Sequence, residues 1–201
     1  MTPHTLPRIR TALTLALGAA LLIGAPAVGQ DETSDPASIL EYVPEEVGGI
    51  PVEAMTIQGQ EHIDGVSGQD PPRPDDIEQI QAVADAAGIS VDDMTTVAWS
   101  VADEETGGFL IVFGFQLGGA DEVAVPEALL PVFTAEMSEE TEVEETQIGD
   151  KSVTRYHEPA VDEDEFDIFG AGDMYTYSSG DRFWMLLGDP DLVAATLETL
   201  P

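Results

Sequence analysis

The run Phe109-Leu-Ile-Val-Phe-Gly-Phe115 constrains the fold more than any other stretch of this chain. None of its side chains is polar, and most are aromatic or β-branched, the composition of a strand. Being apolar on both faces, it belongs at the centre of a sheet that is covered on both sides. Val97, Trp99 and Val101 alternate as in a half-buried strand, and 103–108 turns the chain into the central run. Further along, Val153 to His157 reads as a strand. Tyr175 and Tyr177 alternate in the next, Ser178-Ser-Gly-Asp181 turns, and Phe183 to Leu187 returns. Met55 and Ile57 alternate with Thr56 and Gln58 in a strand near 52–59.

Helical spacing appears between these strands. Ile77, Ile80, Val83, Ala84 and Ala87 share one face over 75–87, with Gly88 as the stop. Leu129, Leu130, Phe133 and Met137 line a helix that starts at Glu122 or Pro126 and contains Pro131. A last helix opens with Asp189 as cap and Pro190 at its first position, and buries Val193, Leu197 and Leu200. A short helix beginning at Asp35-Pro36 would bury Ile39, Leu40 and Val43 before Pro44. Residues 64–75, rich in Gly, Pro and Asp, read as a loop, and 138–147 as an exposed acidic stretch. The fold class that follows is α+β, an antiparallel sheet with helices packed on one face.

The two halves share an order of signals. Val47-Gly48-Gly49 and Val52 precede a strand pair, then Gly119-Ala120-Asp121 and a helix. Ile148-Gly149-Asp150 and Val153 precede a strand pair, then Gly188-Asp189-Pro190-Asp191 and a helix. The reading is a duplicated strand–strand–strand–helix unit over 44–137 and 146–201, with a helical insertion in the first copy.

Ahead of this domain, residues 1–29 have the three parts of a secretory signal. Arg8 and Arg10 supply the basic start, Ala12 to Ala25 the apolar centre, and Ala25, Ala27 and Gly29 the small-residue exit. Gly18, Gly24 and Pro26 interrupt the apolar run, which is shorter than the about 20 residues of a membrane span. The expected mature protein is a single exported domain over 30–201, secreted or held in the cell envelope.

Cysteine is absent, which excludes a disulfide-linked partner. The chain carries 40 acidic and 6 basic residues, a formal charge of −34. Beyond the leader the bases are Arg73, Lys151, Arg155 and Arg182. Such a surface repels nucleic acid and anionic lipid headgroups, so neither is expected as a partner. Two readings of the acidity stand side by side: a solubilising coat, and adaptation to a saline habitat.

Signals for chemistry are weak. His62 and His157 lack role partners in sequence, no G-x-S-x-G elbow occurs, and two histidines without cysteine make no zinc pattern. Gly170-Ala171-Gly172 lacks the third glycine of a dinucleotide loop and precedes a strand. Asp162, Asp164 and Asp167 in 162–167 are candidate ligands for a weak calcium site, although Phe166 and Asp167 break the EF-hand pattern at positions five and six. Trp99 and Trp184 could line a sugar cleft but read as core, and Phe109, Phe113 and Phe115 could wall an apolar-ligand cavity but read as packing. The expectation is therefore a non-enzymatic interaction module without a cofactor. Its alternatives are a weak divalent-cation binder, a carrier of an apolar ligand and an unrecognised hydrolase.

Overall fold

A computed structural model describes residues 38–67, 74–103, 106–135, 137–138, 140–157 and 173–201. Among these residues, β1 (Glu46–Val47) and β2 (Ile50–Pro51) form a small hairpin. The main sheet is antiparallel and seven-stranded. It contains β3 (Ala54–Gln58), β4 (Met94–Ala102), β5 (Phe109–Leu117), β6 (Glu142–Ile148), β7 (Lys151–His157), β8 (Asp173–Ser179) and β9 (Arg182–Gly188), in the order β3-β4-β5-β9-β8-β7-β6. The helices are α1 (Glu61–Ser67), α2 (Pro74–Ala87), α3 (Ala124–Thr134) and α4 (Pro190–Leu197), with 3-10 turns at Ile39–Tyr42 and Val91–Asp93. This is the α+β class that the strand and helix periodicities predict.

The centre of the sheet is the pair β5–β9, in which Phe113 faces Met185 and Phe115 faces Phe183. Alternation sends these side chains to one side, and Leu110, Val112, Trp184 and Leu186 to the other. The first side is covered by α2 and α3, through Ile80, Val83, Ala84, Ala87, Val125, Leu129 and Phe133. Its rings interlock: Phe115 lies 5.3 Å from Phe133 and 6.4 Å from Phe183. The second side is covered by α4, through Leu192, Val193 and Leu197, and by Ile39 of the first 3-10 turn.

The helices therefore occupy both faces, and the expectation that they gather on one is corrected. The reason lies in β5 and β9. Each is apolar on both sides, and every Å² of such surface left in water forgoes about 25 cal/mol. Apart from β6, which has no counterpart beyond β3, the strand order is symmetric about the β5–β9 pair. A rotation exchanging these antiparallel strands preserves the faces of the sheet, so it superposes strands and leaves α3 and α4 on opposite sides.

Local departures from the periodicity have local causes. Where a loop is expected from residue 64, α1 runs to Ser67. The Glu61 carboxylate accepts from Gln58 N at 3.2 Å ahead of it, and Ile63 packs on the first core. The helix expected from Asp35-Pro36 is a single 3-10 turn beginning after Ser38, whose Oγ accepts from Leu40 N; Asp35 and Pro36 lie outside the described residues. Pro131 is accommodated inside α3 because it is on the exposed side, where water can hydrate the carbonyl it leaves without a donor. Within the acidic stretch 138–147, residues from Glu142 onward are strand β6, joined to β7 by a tight turn in which Gly149 has φ 62°.

Candidate functional site

A cluster of charged and polar side chains gathers on the β6–β7–β8 wing of the sheet, on the face shared with α4. Register sets them in two rows. Glu144, Arg155 and Tyr175 are neighbours across three strands, and so are Glu142, His157 and Asp173. Residues two apart on a strand share a face, so the rows lie side by side.

Asp173 is the hub. Its Oδ2 accepts from Arg155 Nε at 2.8 Å and from the Tyr175 hydroxyl at 3.1 Å, with an Arg155 terminal nitrogen at 2.7 Å. Its Oδ1 lies 2.6 Å from His157 Nδ1. Arg155 also reaches toward Glu144, at 3.8 Å. Burial, the largest single influence on Asp173, works to raise its pKa. Hydrogen bonds from His157, Arg155 and Tyr175, with the Arg155 charge, outweigh it and hold the carboxyl below its ordinary value. The Arg155 guanidinium is pushed up, chiefly by its bond to Asp173. The Tyr175 phenol is pushed up by burial and then by the Asp173 charge.

A carboxylate that accepts from three donors has little capacity left for a ligand or a proton. The cluster is a clamp between β7 and β8. Because a carboxylate only accepts, Nδ1 of His157 carries the proton in this bond, which is the orienting half of an acid–base relay.

The remaining described bases are committed inward as well. Lys151 Nζ bonds the Pro201 backbone oxygen at 2.9 Å and sits 5.1 Å from the centre of the Tyr177 ring, whose hydroxyl donates to the same oxygen. Arg182 is buried, with its guanidinium carbon 4.9 Å from the Tyr42 ring centre and Nε 3.7 Å from Asp181. All three lie on the α4 face of the sheet.

The outer side of the wing is different. Strand β6 pairs with β7 alone and ends the sheet. Five of its seven residues are exposed: Glu142, Val143, Glu144, Glu145 and Gln147. The two-residue turn makes Ile148 and Lys151 the hydrogen-bonded closing pair. Counting back by twos, Thr146, Glu144 and Glu142 direct their backbone groups at β7. Val143, Glu145 and Gln147 direct theirs away from the sheet. The Val143 side chain is 62% exposed. The opposite edge, β3, is two residues shorter and carries no charge.

The residues singled out in the sequence fall into separate places. His62, which lacks a role partner in sequence, is buried. Its Nδ1 donates to Gly59 O at 2.9 Å, and its Nε2 accepts from Thr96 Oγ1 at 2.8 Å. Burial pulls its pKa down against the raising effects of Gly59 and Glu61, so it pins α1 to β4 as a neutral group. Trp99 and Trp184 are core, edge-to-face at 5.9 Å. Phe113 and Phe115 are buried in the first core, and Phe109 is 41% exposed at the start of β5. Asp162, Asp164, Asp167 and the Gly170–Gly172 turn lie outside the described residues. Among the described residues no group of three or more His, Asp or Glu is placed to hold a metal ion, and no helix is long and apolar enough to cross a membrane. The absence of cysteine leaves no disulfide-linked partner. The β6 edge escaped the sequence reading because its glutamates masked the alternation; the Ile148-Gly149-Asp150-Lys151 turn was the signal for a strand before it.

No family model matches the chain, and no curated protein or solved structure matches it either.

Proposed function

We propose that this is an exported, non-enzymatic binding module that takes an extended, cationic polypeptide segment as an added strand along β6. The observation that carries the reading is the seven-residue edge with outward N–H and C=O groups at Val143, Glu145 and Gln147. Strand addition draws its affinity from such backbone groups. The charge of the strand selects the sign of the partner. Glutamates along an edge oppose pairing with a second acidic copy and favour a basic strand. The Asp173 clamp supports the surface from behind by tying β7 to β8, so the edge is presented on a braced wing. The wider acidic surface draws a basic partner in and turns nucleic acid and anionic lipid away. The basic, apolar and small-residue order of 1–29 supports an encounter outside the cytoplasm.

Backbone amide exchange tests the reading. Outward amides at Val143, Glu145 and Gln147 exchange freely in the unbound protein. Adding a lysine-rich, strand-forming peptide is expected to slow these three selectively. Slowing spread evenly over the acidic surface, or none at β6, would remove the proposal.

A further inference from the structure

We infer that β6 selects a partner strand in which basic residues alternate with apolar ones. This inference rests on the strand-addition reading above and specifies its partner. The argument starts from the two faces of β6. Glu142 and Glu144 point to the Arg155 face, as the 3.8 Å approach of Glu144 to Arg155 shows. Val143, between them, points to the other face with 62% of its surface in water. A strand laid beside β6 alternates in the same way, so its residues beside Glu142 and Glu144 share one face and the residue beside Val143 takes the other.

The acids are available to such a partner. The contact between Arg155 and Glu144 is long, while the same guanidinium holds Asp173 at 2.7–2.8 Å. Arg155 is therefore spent on Asp173. A second cation beyond β6 would continue the row in alternating sign: partner base, Glu144, Arg155. In the neighbouring row it would stand next to Glu142, which faces His157. Between the two bases, a branched apolar side chain would cover Val143 as a cross-strand contact. The favoured segment thus reads base, apolar, base over three residues.

The test uses the mature chain and two peptides of identical composition, one alternating Lys and Val, the other with its lysines contiguous, at about 0.15 M salt so that long-range attraction is screened. The alternating peptide is expected to bind at least about tenfold more tightly than its isomer. The double variant E142K/E144K, exposed at both positions and checked for folding by circular dichroism, is expected to lose that preference and to prefer an alternating Glu and Val peptide. Equal affinity for the two lysine isomers, or an unchanged preference in E142K/E144K, overturns the inference. Val143→Pro separates it from the reading beneath it, because proline removes an outward N–H. If the alternating peptide binds this variant as tightly as the parent, strand addition itself fails. If binding falls in Val143→Pro while the parent does not distinguish the isomers, the pattern alone fails.

Discussion

A Cβ built on Gly114 would lie 2.3 Å from Trp184 Cζ3 and 2.8 Å from Val97 Cγ2. Trp184 has no exposed surface into which it could retreat, so the ring occupies the space that a side chain on β5 would need. Gly114→Ala is expected to cost about 3 kcal/mol, the upper part of the range for overpacking, read as a lowered denaturant midpoint at unchanged slope. Asp173 offers a second test at this scale. Its folded-state pKa is depressed, so its contribution is present above the unfolded-state value near 4 and is lost as pH falls through the folded value. Asp173→Asn is expected to lower stability at neutral pH by about 1 kcal/mol, after discounting for partial exposure of the cluster. The gap between parent and variant should close in melts taken below about pH 4. A gap that widens on acidification would contradict the clamp.

Helix α4 shows how an element can be read directly from sequence. Asp189 accepts from Asp191 N at 2.9 Å and Leu192 N at 3.4 Å, and Pro190 takes the first position, as the Asp-Pro pair implies. Asp189→Ala is expected to cost about 1 kcal/mol, measured by thermal or chemical unfolding. The same legibility holds for α2 and for β4, β5, β8 and β9, where strong periodicity meets turn residues at both ends. It fails where packing or pairing decides. Nothing in Glu61–Ser67 announces that His62 will find Thr96 across the sheet. The acidic alternation of β6 resembles an unstructured stretch until its hairpin with β7 is known. The candidate site was invisible for a related reason. Arg155, His157 and Asp173 are ordinary residues whose meeting depends on the β7–β8 register, and the sequence gives neither the register nor which strand ends the sheet. The placement of helices on both faces could have been argued from β5 alone, since its two apolar sides demand two covers.

At the scale of the whole molecule, forty acidic residues are opposed by few bases, and the three described ones serve internal contacts. Self-repulsion across the surface is therefore the main electrostatic load on the fold. The melting temperature is expected to rise between about 0.1 and 2 M NaCl, as the screening length shrinks to a few Å. A flat or falling curve would argue against that load and against the saline-habitat reading. The central β5–β9 pair has a kinetic consequence too. Phe115 and Phe183 are far apart in the chain, and every helix that packs on the middle of the sheet leans on one or both of these strands. Neither face can complete its core before both strands are in place. The β5–β9 pairing closes a long loop before burial rewards it, which slows folding relative to a sheet built from consecutive strands alone. A polypeptide of this design is expected to leave one flank of β5 without its neighbour until β9 emerges, so the last strand made is the one that locks the middle of the sheet.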